Sequence, residues 1–569
     1  MAATREWRFW LTQGRGRRWI WGLAAVLGVV LGSLYLAHQR ERGPDEWTLE
    51  QALAGRQLAE GHGWSTPVNY PQTVAVLEAR GALNFAEPLP ELYHPPLYGG
   101  LIGTALAASG DGVSWQVLDD VRAPYGPDRL LLVLNAVGLW LTLLATWCLG
   151  CWLWRPAIAA VATAAVLLST TLWEHLVAVD GTTWLMLLTT LLLAALAWTA
   201  RQSGWKRGWG AAATGLLLGL LGLGDYALLV WLPVALVWLG WGTRGKMRWA
   251  LPLLAGVVAL AVLMPWFGRN IGLTGHPLGL AGQSVALRAG DPTADPLLAR
   301  AALEAAAPEL SFRKLLNKGL TGWRDALQAD LWQGGGLFVL LALFSALYGF
   351  QRAEIGRWRW LVLALLGSVV LVPPFFVSGL SPRSPVLYLL PGLALVGTAF
   401  FEVVRKNTRG DHHAWQLGAV AALLILHGLP LVQRTLEPRR LPFQYPPYFP
   451  VALRQLAALD GRLGLPSGAV ADLPAGWSWY AGGDFRVWRQ PTAPADLAAL
   501  CSYVPIHLQY FSPQLVDEAF GAALVQPQPG TWEPVYAHLA RGETPAGYPL
   551  PRVQPLADGG LIALPANAR

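Results

Sequence analysis

Charge is scarce in this 569-residue chain: 14% of its residues are Asp, Glu, Lys or Arg, against roughly a quarter in ordinary soluble domains. Methionine (4) and cysteine (3) are scarcer still. The low charge comes with 54% apolar residues, gathered in long runs rather than at amphipathic spacing. That combination excludes a disordered chain and argues against a soluble enzyme of this size. Three cysteines exclude a framework of disulfides. Cys148 and Cys151 form a C-x-x-C inside an apolar run, where thiols serve as small packing groups, and Cys501 stands alone. No Walker loop, no G-x-G-x-x-G in strand–helix context, no H-E-x-x-H and no G-x-S-x-G occurs, so nucleotide-driven transport has no support. No internal repeat of fixed period is found either.

What is present is a set of membrane-length apolar segments and 30 tryptophans. A helix crosses a bilayer with about 20 apolar residues. Eleven segments qualify, near 18–37, 128–151, 157–175, 181–200, 209–223, 226–242, 249–266, 336–351, 359–377, 385–403 and 415–433. The formal charge of +7 reads as an orientation signal, not as a nucleic-acid footprint. With a cytoplasmic N-terminus, every inner connection is basic. Arg155, the Arg201–Arg207 group, Arg244–Arg248, Arg352–Arg359 and Arg405–Arg409 all fall on that side, as the positive-inside rule demands. Counting Pro96–Ser109 as a further crossing would invert this pattern, so it reads as a re-entrant or interfacial helix.

Outside then lie a long acidic loop, 38–127, a second long loop, 267–335, and a tail, 434–569. The second loop carries two amphipathic patterns, Asp295–Ala306 and Ser311–Trp332. The tail is Pro-rich with ordinary charge. Its spacing predicts a helix at Val451–Arg462 and strands at Gly468–Asp472, Phe485–Trp488 and Pro505–Tyr510. The expected fold is therefore a mainly α polytopic membrane domain over 1–433, followed by a small extracytoplasmic α/β domain over 434–569.

Candidate functional residues are ionisable, external and close to the membrane plane. Asp45 and Glu46 follow the first span directly. Thr48–Leu49–Glu50–Gln51 fits the S/T-x-x-E/Q capping box and predicts a helix Leu49–Glu60, with Leu49, Ala52 and Leu53 against the membrane. An acid at that helix start reads either as a plain cap or as a carboxylate held for chemistry. Glu91–Leu92–Tyr93–His94–Pro95–Pro96–Leu97–Tyr98 re-enters the interface with its backbone fixed by two prolines. There His94 reads as a phosphate or metal contact, or as a hydrogen-bonded structural residue. Arg269, in the PWFGRN stretch that closes the seventh span, and Arg383, in SPRSP, are outer cations at a membrane edge. Either they snorkel, or they hold a lipid phosphate with guanidinium forks.

Taken together, PDEWTLEQALAGRQLAEGHGWST, ELYHPPLY, VAVDGTTWLMLL, PWFGRN and SPRSPVLYLLPGLALVG resemble the motifs of the polytopic GT-C glycosyltransferases. The nearest likeness is to glycosyltransferase family 39, with the protein O-mannosyltransferases, and to the related bacterial lipid A aminoarabinose transferases. The resemblance covers roughly the first 400 residues, with the motifs in the family's order and all outside.

It implies an inner-membrane, multi-pass enzyme that moves a sugar from a polyprenyl-phosphate donor to a protein, lipid or glycan acceptor on the extracytoplasmic face, with inversion. It implies Asp45 as the base that accepts the acceptor's proton and Asp180 as a second acidic position, with Glu46 beside the base. Arg269, Arg383 and His94 would face the departing phosphate, and Glu91, Tyr93 and Tyr98 would shape the site. The chain has His94–Pro95–Pro96 where the aminoarabinose transferases have a Lys-Pro-Pro type motif, and Ser384 where Tyr is common. The resemblance therefore leaves a divalent metal and the acceptor open.

Two other readings stand beside the transferase: a transporter or flippase of a lipid-linked substrate, and a non-catalytic assembly platform. Transporters carry ionisable residues at mid-span, whereas here the acids collect at the outer edge.

Overall fold

A computed structural model of the chain describes residues 26, 29–30, 32–36, 44–110, 125–241, 243, 245–282, 300–302, 311–328, 330–332, 335–376, 384–407, 413–436, 468–480, 486–503, 505–512, 532–556 and 560–566. Among the described residues, five helices are long and apolar enough to cross a membrane: Gly126–Leu153, Thr182–Arg201, Met247–Thr274, Ala353–Phe376 and Gly418–Leu436. Most of the expected first span, Arg383 and Val451–Arg462 lie outside the described residues.

Several expected spans take a different form. The 157–175 segment is two helices, Pro156–Leu167 and Thr170–Ala178, bent by 53°. Trp173 Nε1 donates to the Leu167 carbonyl at 2.7 Å, satisfying a group that the break leaves without its helical partner. The 226–242 segment opens as a tight turn at Tyr226–Val230 before the helix Trp231–Trp241. Asp225 starts that turn by accepting from the Ala227 amide at 2.9 Å. Tyr226–Trp241, Gly336–Leu347 and Leu390–Val404 stay shorter than 18 residues, less than the roughly 30 Å hydrocarbon core at 1.5 Å per residue. The PWFGRN stretch does not close a span: the helix continues through Pro265 to Thr274.

Above the bundle is a six-stranded sheet in the order β2-β5-β4-β6-β8-β7. Its strands are β4 (Ala469–Ala471), β5 (Val487–Arg489), β6 (Leu508–Phe511), β7 (Arg552–Pro555) and β8 (Leu561–Leu564), with β2 (Val68–Asn69) contributed by the first long loop. β2, β4, β5 and β6 run parallel, while β8 is antiparallel to both its neighbours, β6 and β7. Ser65–Thr66 (β1) and Leu89–Pro90 (β3) form a separate antiparallel pair.

Parallel strands bury both faces, and side chains alternate between them. Ala469, Ala471, Tyr510 and Ile562 share one core with Leu49, Ala52, Leu53 and Ile102. Val470, Trp488, Phe511 and Ala563 share another with Val74, Leu77 and Trp532. Leu49, Ala52 and Leu53 thus pack on protein, not on the membrane, because the helices Pro96–Ser109 and Pro474–Tyr480 pack against the helix that carries them.

Candidate active site

The first outer helix runs Glu46–Ala59, three residues earlier than its capping-box reading. The reason is Asp45, whose Oδ1 accepts from the Thr48 amide at 2.7 Å and so displaces Thr48 as the N-cap. Asp45 is half-buried. Glu46 turns toward the tail, accepting from the amides of Ala475 (2.6 Å) and Gly476 (3.0 Å). Burial, and then the neighbouring Glu50 carboxylate, push Glu46 up to about 8.

Glu50 lies one turn further along the same helix face, 1% exposed. It receives three groups distant in sequence. The Tyr70 hydroxyl donates to Oε1, His94 Nε2 donates to Oε2 at 2.5 Å, and Arg300 Nη1 donates to Oε2 at 2.7 Å. Arg300 is stacked between the rings of Tyr70 (3.6 Å) and Tyr93 (4.1 Å). Burial alone would raise the Glu50 carboxyl, but Arg300 outweighs it, helped by His94 and Tyr70, and holds it down to about 2. This is a buried ion pair in which both carboxylate oxygens are filled, while Arg300 Nε and His94 Nδ1 are buried without a hydrogen-bond partner among the described residues.

The ELYHPPLY stretch folds around its own acid. Glu91 Oε1 accepts from the amides of Tyr93 (2.7 Å) and His94 (3.0 Å), which aims the imidazole at Glu50. Trp47 meets that ring edge-on at 4.4 Å. Pro96 then opens the helix Pro96–Ser109, where a missing N–H costs nothing.

Arg269 clamps this loop from the side. Its Nη1 donates to the Glu91 carbonyl and its Nη2 to the Trp64 carbonyl, both at 2.9 Å, and it stacks over Trp266 at 4.7 Å.

Asp180 belongs to a second acidic group. Its Oδ2 accepts from His175 Nδ1 at 2.5 Å and its Oδ1 from the Thr182 amide at 3.0 Å. The backbone beside it is strained: Val179 has φ 47° and Gly181 φ 80°, a conformation costly for a β-branched residue. The Tyr98 hydroxyl holds it by donating to the Val179 carbonyl, and Asn135 Nδ2 donates to that hydroxyl at 2.5 Å. A Cβ at Gly181 would come within 2.6 Å of the Tyr98 ring.

The structure thus brings together Glu46, Glu91, Tyr93, His94 and Arg269, and ties Tyr98 to Asp180. Glu50, Tyr70 and Arg300 were not singled out from sequence. The available signal for Glu50 was its spacing of four from Glu46, inside a stretch read for its Thr48–Gln51 capping box. Arg300 gave only a lone cation among Leu and Ala. No three His, Cys, Asp or Glu side chains converge as metal ligands among the described residues. The Glu50 carboxylate is matched by Arg300, so this set does not fit a metal centre.

No protein-family model matches the chain, and no curated protein matches it by sequence. Solved structures do. The archaeal oligosaccharyltransferase AglB from Archaeoglobus fulgidus, in complex with an inhibitory peptide and a dolichol-phosphate, aligns over 86% of this chain and 69% of its own, at 10% identity and TM-score 0.52. The A. fulgidus enzyme tethered to an acceptor peptide containing the NVT sequon aligns over 88% and 69%, at 10% identity and TM-score 0.51. ArnT from Cupriavidus metallidurans, bound to undecaprenyl phosphate, aligns over 95% and 97%, at 12% identity and TM-score 0.49. The fold is that of the GT-C glycosyltransferases.

Proposed function

We propose that the chain is a membrane glycosyltransferase that moves a sugar from a polyprenyl-phosphate donor to a protein, lipid or glycan acceptor at the outer face. The observation that carries this is the GT-C fold over most of the chain, combined with an acidic helix that starts just after the first apolar segment. The proposed topology has eleven crossings, a cytoplasmic N-terminus and an extracytoplasmic 434–569 domain. A dolichol-phosphate in the AglB structure supports a lipid-phosphate donor.

In this reading Asp45 is the general base. One carboxylate oxygen is fixed by the Thr48 amide, which orients the group at a helix N-terminus where negative charge is favoured. The acceptor's oxygen or nitrogen attacks the anomeric carbon, Asp45 takes its proton, and the bond to the lipid phosphate breaks with inversion. Arg383 supplies a fork for the leaving phosphate. Arg269 adds positive charge from its place under the Glu91 turn. Asp180 is the second acid of the site, held by His175. Glu46, Glu91, Tyr93, His94 and Tyr98 keep the outer helix and re-entering loop in place.

The test is turnover of a panel of polyprenyl-phosphate sugars by purified wild type and Asp45→Asn, with donor binding measured in parallel. Loss of turnover by roughly 10²–10⁴-fold with donor binding kept is expected for removal of a general base. Equal turnover in both proteins would eliminate Asp45 and move the role to Glu46 or Asp180.

A further inference from the structure

At the end of the bundle opposite the outer helix lies a cavity of about 330 Å³. Arg155 and Arg352 line it, with Trp154, Phe350, Ile158 and Glu402 among the other walls. A second cavity of about 160 Å³ shares Trp154 with it and adds Arg201 and Arg357. The sequence puts these cations here by position: Arg155 immediately precedes the helix Pro156–Leu167, and Arg352 the helix Ala353–Leu371.

The arginines differ in how they are occupied. Arg201 donates to Glu354 at 3.1 Å and lies over Trp152 at 4.6 Å. Neither Arg155 nor Arg352 forms an ion pair among the described residues. With Glu402 in the wall, the larger cavity carries one net positive charge, suited to a single negative charge rather than a polyphosphate. Apart from Gln351, its remaining wall is apolar and aromatic. Exposed Trp152, Trp205, Trp209, Trp241 and Trp249 stand at this same end of the bundle, the composition of a headgroup-depth belt.

We propose that this cavity binds the phosphodiester head of an anionic membrane phospholipid, with Arg155 and Arg352 on the phosphate and Trp154, Ile158 and Phe350 against the glycerol and first acyl carbons. Basic pockets between membrane helices take such headgroups, and a guanidinium pair suits phosphate oxygens. The site is independent of the chemistry at the outer face.

Native mass spectrometry of the full-length purified protein, titrated with phosphatidylglycerol or phosphatidylcholine, tests this. The wild type is expected to hold one phosphatidylglycerol in preference to phosphatidylcholine. R155Q/R352Q is expected to bind it roughly thirtyfold more weakly, while the charge-matched R313Q/R324Q binds as wild type does. Equal retention of both lipids by the wild type would overturn the proposal, as would equal phosphatidylglycerol binding by R155Q/R352Q. Displacement by millimolar inorganic phosphate without any lipid preference would assign the site to a water-soluble phosphate and overturn the lipid. Should R155Q/R352Q fail to fold, the comparison of the two lipids on wild type decides alone.

Discussion

Glu50 and Arg300 meet across 250 residues of sequence, and each is buried only because the other is there. Removing one charge strands the other, which costs about 3–5 kcal/mol for a buried pair. Glu50→Gln is therefore expected to lower the unfolding temperature sharply, read by tryptophan fluorescence. Glu50→Gln combined with Arg300→Met should recover much of the loss, because no charge is left stranded. If the double variant is no more stable than the single one, the pair is not the reason for the loss. Glu46 titrates in the opposite sense. Its ordinary value is 4.5 and burial raises it to about 8, so its protonated form is favoured by folding. The stability it contributes is complete below pH 4.5 and is lost as the pH rises through 8. Melting curves from pH 5 to 9 should fall in the wild type and flatten in Glu46→Gln. A parallel fall in both would rule out Glu46 as the source. Neither residue's environment was legible in sequence, since it comes from the tail and from the second long loop.

At the scale of elements, the helices Glu46–Ala59 and Pro96–Ser109 cross with backbones nearly touching. A Cβ at Gly103 would lie 2.7 Å from the Gly55 carbonyl oxygen, and one at Gly55 would lie 2.5 Å from that of Gly99. Backbone cannot swing away as a side chain can, so Gly103→Ala should cost about 1–3 kcal/mol. Gly100→Ala, with nothing nearer than 3.9 Å, should cost little. Limited proteolysis of the first outer loop separates the two outcomes, and equal sensitivity would refute the close-packing argument. Elements with strong local signals were readable. The amphipathic Ser311–Trp332 pattern contains the helix Phe312–Gln328, and the predicted tail strands overlap β4, β5 and β6. Boundaries set by side-chain competition were not. Asp45 outbid Thr48 for the cap, and Pro265 was absorbed inside a helix whose end is set by Gly275 in the left-handed conformation. β2 is two residues long, too short for any periodicity.

For the whole molecule, composition and the spacing of apolar runs led to a multi-pass helical fold, and the resemblance of five short motifs led to a GT-C likeness. They could not reveal that the first loop and the tail share one sheet, since that depends on pairing between distant parts of the chain. β2 pairs with β5 through Val68–Val487 and Asn69–Trp488, and Glu46 accepts from the amides of Ala475 and Gly476 in the tail helix Pro474–Tyr480. Synthesis runs from one end to the other at about 5–20 residues per second. The acidic helix therefore emerges roughly 20–80 seconds before the tail segment that binds Glu46. Throughout that interval the Glu46 carboxyl lacks the two backbone amides that it accepts from. A nascent chain stalled after the last membrane helix would present the candidate base on an unfinished scaffold, so any activity would await the final hundred residues.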